Sequence, residues 1–302
     1  MRVGILTSGG DCQALNATMR GLALTLYRNV KDVEIIGFID GYKGLMYEKY
    51  RKMKPADFYD ILNVGGTILG SSRCPFKRMR IIENGFDKVK AMKNTYKKLN
   101  LDCLVVLGGN GSIKSANMLS QEGLNVIALP KTIDNDAWGT DYTFGYSSAT
   151  AIATRYLDEI KTTAASHSRV FVIEVMGHKV GHICLMKRKD YKAKVLARNG
   201  RSVAYEVAEE LGQEIDAEIR VSCIGHAQRG GNPDSYDREI STRFGVEGAR
   251  LIIKKHYGEY VVLQGNHVTH IPLEATAGKL KFVDTEGEIV QSAKLVGISF
   301  GE

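Results

Sequence analysis

The sequence is poor in cysteine, and the cysteines it has follow no pairing pattern. Five cysteines are scattered through 302 residues, and no two of them have the C-x-x-C spacing. An odd, scattered set indicates neither a disulfide framework nor a zinc site built from paired thiolates. We therefore expect a reducing compartment, which makes the cytoplasm the default location.

Long apolar runs, repeats and low-complexity tracts are missing as well. No apolar stretch reaches the ~18 residues that a membrane-spanning helix requires, and the first residues follow a strand pattern rather than that of a signal peptide. Apolar residues make up 44% of the chain and charged residues 25%, which is usual for globular proteins. These absences predict a globular protein without a membrane partner.

The chain has an excess of positive charge without the pattern of a nucleic-acid binder. Its formal net charge is +7, and lysines and arginines cluster within residues 43–54, 73–80 and 187–201. No basic motif with interleaved aromatic residues supports nucleic-acid binding. Such clusters are usually solvated faces, but the second one follows glycines and small residues. Contact with phosphate is therefore expected around residues 73–80.

The distribution of apolar segments predicts alternating strands and helices. Strand patterns occupy residues 2–6, 33–39, 103–107, 125–129, 169–175, 219–224, 260–264 and 267–271. Helix patterns occupy residues 14–27, 86–99, 113–119, 147–160, 187–212 and 234–255, with Ser147 or Ser148 as the cap of the fourth and Leu157 on its inner side. This alternation is typical of a doubly wound, mostly parallel α/β sheet with right-handed crossovers. At ~150 residues per domain, the length suggests two domains.

Polar loops follow three of the predicted strands, at residues 7–11, 108–112 and 130–136, and the first two of them carry glycines. Open α/β sheets bind ligands at the carboxyl edge of their strands, and a glycine turn that leads into a helix offers backbone N–H groups to phosphate. In the third loop, Asp134 and Asp136 lie two residues apart. One carboxylate can accept a proton from a hydroxyl while the other helps to hold a metal, which is the equipment of a phosphoryl-transfer enzyme.

Five motifs occur in order along the chain: Ser-Gly-Gly-Asp at 8–11, Gly-Gly-Asn-Gly-Ser at 108–112, Thr-Ile-Asp-Asn-Asp at 132–136, Glu-Val-Met-Gly at 174–177 and Gly-His-Ala-Gln-Arg-Gly-Gly at 225–231. With these motifs in register, the chain resembles the 6-phosphofructokinase family. The resemblance implies two doubly wound, mostly parallel α/β sheets. It also implies transfer of a terminal phosphoryl group to the 1-hydroxyl of fructose 6-phosphate, a step of glycolysis, with Mg²⁺ as cofactor.

The resemblance further implies roles for individual residues. Asp134 corresponds to the general base, with Thr132 and His178 completing the catalytic set, and Asn110 and Asp136 correspond to the metal site. The donor-site residues are Gly9, Arg73, Cys74, Gly109, Asn110, Gly111 and Ser112. The sugar-phosphate residues are Thr132, Asp134, Arg169, Met176, Gly177, His178, Arg220, His226 and Arg229.

Two of these residues bear on assembly. Arg169 and Arg220 correspond to arginines that members of the family contribute from a neighbouring subunit. The resemblance therefore implies a homo-oligomer, a dimer or a tetramer, with shared sugar sites.

Four positions bear on the phosphoryl donor. Asn110 stands where the family usually carries a metal-binding aspartate, so weaker metal binding is expected, because an amide oxygen can bind Mg²⁺ but has no charge. Gly111 resembles the small residue of ATP users, whereas Lys131 belongs to a motif form shared by pyrophosphate users. His178 replaces an arginine, so a fixed charge becomes titratable. ATP is the favoured donor, and pyrophosphate is the alternative.

The largest departure from the family is a missing stretch after Leu185. Relatives continue there through two further strands and a helix, and one strand ends in a glutamate that binds the sugar. We expect a donor-binding domain at 1–145, a truncated sugar-phosphate domain at 146–272 and a C-terminal extension at 273–302. Lost central strands would leave unpaired edges and an unfilled core, so low activity is expected unless the gap is compensated.

Two other functions stay open at this point. Asn110, His178 and the missing glutamate fit a phosphate- or nucleotide-binding relative with little catalysis. A basic nucleic-acid binder rests only on the net charge, and we expect no nucleic-acid partner.

Overall fold

The structure, a computed structural model, describes residues 1–178, 180, 202–276 and 278–300. Its strands are β1 (Arg2–Ser8), β2 (Glu34–Phe38), β3 (Tyr50–Met53), β4 (Cys103–Gly108), β5 (Val126–Pro130), β6 (Val170–Glu174), β7 (Ile219–Cys223), β8 (Glu259–Gln264) and β9 (His267–Pro272). Its helices are α1 (Leu15–Asn29), α2 (Tyr42–Met46), α3 (Lys88–Lys98), α4 (Asn110–Gln121), α5 (Tyr146–His167), α6 (Val203–Glu214), α7 (Ser235–Ile253), α8 (Leu273–Thr276) and α9 (Glu288–Leu295). Within these ranges, no helix is both long and apolar enough to cross a membrane.

The chain divides into two compact units. Unit 1 comprises residues 1–149 and 229–281, and unit 2 comprises residues 150–228 and 282–302. The boundaries expected from the sequence, near 145 and 272, differ from this division. Residues 229–272 lie in unit 1 because α7 packs beside α1 and because β8 and β9 join the sheet of that unit.

Unit 1 is built on a seven-stranded sheet in the order β3-β2-β1-β4-β5-β8-β9. Strands β2, β1, β4, β5 and β8 are parallel, whereas β3 and β9 pair antiparallel at the two edges. Strands β4 and β5 are buried along their whole length, which is why their sequences are continuous apolar runs. The predicted mostly parallel α/β sheet is confirmed here. The sequence did not reveal β3, whose first three residues are exposed.

Helices α1 and α7 approach each other closely through glycines. A Cβ atom at Gly21 would lie 2.6 Å from the backbone oxygen of Thr242. A Cβ atom at Gly245 would meet the backbone oxygen of Thr18 and lie 2.6 Å from the backbone nitrogen of Leu22. Because backbone atoms cannot move aside as a flexible side chain can, any side chain at these positions would push the helices apart.

We expect Gly245→Ala to destabilise unit 1 by about 1–3 kcal/mol, the usual cost of overpacking a filled interior. Urea unfolding followed by circular dichroism measures this change. The matched control is Gly212→Ala in α6, where the new methyl group would meet only Ile219 Cδ1 at 3.8 Å and alanine favours the helix by about 0.8 kcal/mol. A Gly245→Ala protein as stable as the control would contradict the close approach.

A buried carboxylate, rather than a serine, caps the start of α5. The helix begins one residue before Ser147, so Ser147 and Ser148, predicted as caps, lie in its first turn. Asp237 accepts from the Gly145 N–H and the Ser148 N–H at 2.9 Å each, from Ser148 Oγ at 2.5 Å and from the Tyr142 hydroxyl at 2.9 Å. Burial raises the pKa of the Asp237 carboxyl, and these donors oppose the shift. The capping prediction was wrong because α7 supplies the acceptor from a distant part of the chain.

Unit 2 contains a much smaller sheet. Strands β6 and β7 form a parallel pair, and every residue of β6 is only partly buried. Leu157 of α5, predicted to face inward, is 42% exposed, so that prediction was wrong. Of the helix predicted at 187–212, the described part is α6. Lys179, the junction after Leu185 and the basic cluster at 187–201 lie outside the described residues.

Candidate active site

The carboxyl ends of three neighbouring strands lie side by side in unit 1. Ser8 at the end of β1 pairs with Gly108 at the end of β4, which in turn pairs with Pro130 at the end of β5. Loops that leave parallel strands at paired residues start at the same edge of the sheet, where such sheets bind their ligands. The three loops predicted to form the site therefore begin next to one another.

The turn after β1 is where these loops meet. Gly9 has a φ angle of 90°, a left-handed conformation that glycine adopts without strain. A Cβ atom at Gly9 would lie 3.6 Å from both Lys131 Nζ and Ser112 Oγ. The Gly9 N–H also donates to the carbonyl oxygen of Ser72 at 3.1 Å, which brings a fourth loop to the same point.

Two cationic side chains contact this turn. Lys131 is 3% exposed, and its Nζ donates to the carbonyl oxygen of Gly10. Arg229 Nη1 donates to the carbonyl oxygen of Asp11 at 2.7 Å, while its buried Nε has no hydrogen-bond partner among the described residues. Burial lowers the pKa of the Lys131 ammonium, and an anion beside it would oppose that shift. The turn is therefore electrostatically suited to phosphate.

The loop after β5 is held by its own hydrogen bonds. Thr132 Oγ1 donates to Asp134 Oδ2 at 3.0 Å and accepts from the Asp134 N–H at 3.1 Å. Thr143 Oγ1 donates to the carbonyl oxygen of Thr132 at 2.8 Å, and the Thr143 N–H donates to Asn135 Oδ1 at 3.1 Å. Asp136 is 3% exposed. The Asp134 carboxylate is thus oriented by a neighbouring hydroxyl on a loop that is pinned at both ends.

The amino terminus of helix α4 lies at the sheet edge from which these loops leave. It begins at Asn110, with Gly109 as an extended N-cap. The N–H groups of a first helical turn have no intrahelical acceptor, and together with the helix dipole they bind phosphate. A Cβ atom at Gly111 would meet no atom within 4 Å. A ligand at this helix terminus would therefore find open space beside Gly111.

Arg73 and Cys74 line an open cleft of unit 1. Their loop follows Ser72, whose backbone accepts from the turn at Gly9, so the cleft begins beside that turn. Its walls are formed by Lys43, Met46, Tyr47, Arg73, Cys74, Pro75, Arg78, Met79, Glu83 and Lys88. Five of these ten residues are charged, and four of the five are cationic, so the cleft suits an anionic ligand such as a phosphate.

The donor set suits Mg²⁺ that arrives with a phosphate ligand. Among the residues that the structure describes, no three histidine, cysteine or acidic side chains form a group that could hold a metal ion. Mg²⁺ is commonly bound by one or two carboxylates together with substrate phosphates. Asp136 and Asn110 provide a carboxylate and an amide oxygen from loops that leave the same sheet edge. These residues therefore fit the implied metal.

In unit 2, residues 176–178 follow the carboxyl end of β6. The Met176 N–H donates to Gln228 Oε1 at 2.5 Å, and Gln228 belongs to the short 3₁₀ helix Gly225–Arg229 that also carries His226. The structure thus brings the predicted sugar residues Met176, Gly177 and His178 close to the segment of His226.

Arg169 and Arg220 lie at the other end of this strand pair. Arg169 precedes β6, Arg220 is the second residue of β7, and both pair with Glu218, Arg169 at 2.7 Å. They are not brought to residues 176–178 within unit 2. Both arginines therefore lie at the amino-terminal ends of these strands, opposite the end that leads to residues 176–178.

One residue at the site gave no signal in the sequence. Lys281 Nζ donates to the carbonyl oxygens of Thr140 and Asp141 at 2.9 Å and 2.8 Å. Burial lowers the pKa of the Lys281 ammonium to about 8. The residue lies 141 and 140 positions along the chain from these two partners and belongs to no motif, so only the fold places it beside the loop after β5.

Sequence comparisons identify the relatives of this chain. The sequence model of the family described as phosphofructokinase matches residues 2–198 and 187–252. The ATP-dependent 6-phosphofructokinase of Spirochaeta thermophila is 41% identical over 356 positions, which cover 99% of this chain and 97% of that protein. ATP-dependent 6-phosphofructokinase 3 of Bacteroides thetaiotaomicron is 39% identical over 338 positions, which cover 100% of both. Both alignments are longer than the 302 residues of this chain, which supports the missing internal stretch.

Solved structures agree in fold. A phosphofructokinase of Pichia pastoris in the T-state has a TM-score of 0.79 at 26% identity, covering 91% of this chain and 35% of the Pichia chain. A pyrophosphate-dependent phosphofructokinase of Marinobacter aquaeolei has a TM-score of 0.80 at 17% identity, covering 100% of this chain and 93% of that chain, and shows the fold alone. With full-length relatives, a matching family model and five motifs in order, the chain belongs to the phosphofructokinase family of phosphotransferases.

Proposed function

We propose that this protein transfers the terminal phosphoryl group of ATP to the 1-hydroxyl of fructose 6-phosphate, giving fructose 1,6-bisphosphate. The observation that carries the proposal is the pairing of Ser8, Gly108 and Pro130 at one sheet edge. It gathers a glycine turn, a helix amino terminus and the two carboxylates of the loop after β5. Relatives at 41% and 39% identity are named ATP-dependent 6-phosphofructokinases, which supports the reaction class.

Asp134 is proposed as the general base. As the sugar oxygen forms its bond to the terminal phosphorus, its O–H bond breaks and the proton passes to the Asp134 carboxylate, while the bond between that phosphorus and the bridging oxygen of ADP breaks. The hydrogen bond from Thr132 Oγ1 to Asp134 Oδ2 supports this role, because an oriented base loses less freedom when it meets its substrate.

The donor phosphates are proposed to lie against the turn at Gly9 and the amino terminus of α4. Gly109, Asn110 and Gly111 would offer backbone N–H groups. Ser112 would offer its hydroxyl, because its N–H already donates to the carbonyl oxygen of Gly109 at 2.9 Å, and Lys131 and Arg229 add positive charge. Arg73 and Cys74 in the adjoining cleft would contact the nucleotide. Mg²⁺, when bound, supplies charge neutralisation on the transferring phosphoryl group, and Asp136 and Asn110 would hold it.

Met176, Gly177, His178 and His226 are proposed as sugar-phosphate residues, and so are Thr132 and Arg229. Arg169 and Arg220 would serve the site of a second subunit in a homo-oligomer. Their place at the amino-terminal ends of β6 and β7 supports this assignment, since it leaves them apart from residues 176–178 of their own chain.

Two alternatives rest on specific observations. Lys131 contacts the turn at Gly9 and belongs to a motif form shared with pyrophosphate users, so pyrophosphate is the second candidate donor. The small, partly exposed sheet of unit 2 favours a relative that binds phosphates with little turnover. The open space at Gly111 favours ATP over pyrophosphate.

A coupled assay of fructose 6-phosphate phosphorylation with each donor tests the proposal on protein whose intact mass matches the 302-residue chain. We expect turnover with ATP and Mg²⁺. Turnover with pyrophosphate but not with ATP would mean that pyrophosphate is the phosphoryl donor. Thermal stabilisation by ATP and fructose 6-phosphate without turnover from either donor would instead establish the binding protein.

A further inference from the structure

Residues 278–281, here called the strap, lie beside Asn110 and the loop that carries Asp136 in unit 1. Leu280 forms an antiparallel bridge with Ala137, and the Lys281 N–H donates to the carbonyl oxygen of Asp136 at 3.0 Å. Asn110 Nδ2 donates to the carbonyl oxygen of Lys279 at 2.6 Å. Two residues of the strap, Lys279 and Lys281, therefore contact the two residues proposed to hold Mg²⁺.

The Lys281 side chain binds the loop that carries Asp136. Its ammonium group donates to the carbonyl oxygens of Thr140 and Asp141, and the residue is half-buried. An ammonium is strongly hydrated, so it gives up water only where fixed acceptors replace it. The two carbonyl oxygens are such acceptors, and they tie the far end of loop 136–141 to the strap.

The contact with Lys279 determines how the Asn110 amide is turned. A carbonyl oxygen can only accept a hydrogen bond, so the nitrogen of the Asn110 amide must face Lys279. The amide oxygen, the one atom of this side chain able to bind a cation, is thereby directed away from the strap. The strap thus orients one proposed ligand directly and the other through its loop.

We propose that the strap positions Asn110 and Asp136 for a divalent cation, with Lys281 as the positioning residue. This inference rests on the proposed function only in taking Mg²⁺ with a phosphoryl donor as the ligand. The strap acts by geometry, and the charge of Lys281 acts in the opposite direction. Removing a positive charge near carboxylates strengthens cation binding, whereas releasing the loop that carries a ligand weakens it.

The direction in which the affinity for a divalent cation changes separates these two effects. Mn²⁺ binding in the presence of ADP, followed by electron paramagnetic resonance, requires no turnover. For Lys281→Met we expect the Mn²⁺ dissociation constant to rise about tenfold, the size of effect seen when a residue that supports a metal ligand is lost. Lys281→Arg, which keeps donors for both carbonyl oxygens, should restore most of the affinity. Lys254→Met, at an exposed lysine outside the strap, should change nothing. A dissociation constant that is unchanged or lower in Lys281→Met overturns the proposal.

A second variant covers the case in which Lys281→Met does not fold. Trp138 is the only tryptophan of the chain, and Lys279 Nζ lies 4.2 Å from the centre of its ring. Asn110→Ala removes the anchor of the strap and should shift the tryptophan emission, whereas Asn125→Ala, which removes an amide-to-carbonyl bond elsewhere, should not. Unchanged emission in Asn110→Ala overturns the proposal. If the expected changes in Mn²⁺ binding and in emission occur in a protein that has no kinase activity, the strap proposal stands and the proposed function is refuted.

Discussion

Replacing Asp134 by asparagine is expected to lower kcat for phosphoryl transfer by about 10³-fold, within the range that general-base catalysis contributes. An amide cannot take the proton of the sugar hydroxyl, but it keeps the shape of the carboxylate. Its oxygen can still accept the hydrogen bond that Thr132 Oγ1 now makes to Asp134 Oδ2, so the loop should keep its conformation. Initial rates with saturating ATP and fructose 6-phosphate measure the effect.

The matched control is Asp141→Asn in the same loop. Asp141 is exposed, and its Oδ2 accepts from the backbone N–H of Gly265 at 2.7 Å, a bond that an amide oxygen can also accept. We expect kcat to stay near that of the unaltered protein, because no proton transfer is assigned to Asp141. A similar loss in both variants would mean that the loop responds to any change of charge, and Asp134 would lose its assignment as the base.

Gly111→Asp is expected to lower kcat/KM for ATP by about 100-fold or more. A Cβ atom at this position would meet nothing within 4 Å, so the protein should fold and a carboxylate should extend into the space proposed for the donor. A negative charge placed beside a triphosphate costs several kcal/mol, and each 1.4 kcal/mol corresponds to about a factor of ten. The same helix terminus favours an acidic side chain, so folding stability should not fall.

Gly111→Asn separates charge from size, since asparagine occupies nearly the same volume without the charge. We expect it to retain more ATP-dependent activity than Gly111→Asp. Parallel assays with pyrophosphate, a smaller donor, should show a weaker effect of both substitutions. An ATP-dependent kcat/KM that is unchanged in Gly111→Asp would place the donor elsewhere and would remove the argument for ATP based on open space.

The fold of unit 1 followed closely from its sequence pattern. The runs that became β4 and β5 are apolar throughout, which happens only when both faces of a strand are covered. Pairing of the strand ends at Ser8, Gly108 and Pro130 follows from a parallel sheet, because polar loops at their carboxyl ends must share one edge. Each of these features depends on residues that are consecutive in the sequence, so the sequence pattern is sufficient to predict it.

The sequence pattern was misleading where the residues that pack against a helix or strand come from a distant part of the chain. Leu157 follows helical periodicity, yet it is 42% exposed, because periodicity marks a face without showing what lies against it. The cap of α5 looked like Ser147 or Ser148, but Asp237 from α7 accepts the free N–H groups. The two units differ from the expected domains for the same reason, since residues 229–272 add to a sheet that begins at the amino terminus.

The order and chemistry of residues along the chain were sufficient to identify a parallel α/β phosphotransferase fold and its family, since motifs and apolar runs are written in consecutive positions. Contacts between distant segments came only from the folded chain. The meeting of Gly9 with Lys131 and Ser112, and the bonds of Lys279 and Lys281 to Asn110 and the loop of Asp136, join residues about 100 or more positions apart. No periodicity or spacing encodes such contacts, because they depend on how the strands and helices pack in three dimensions.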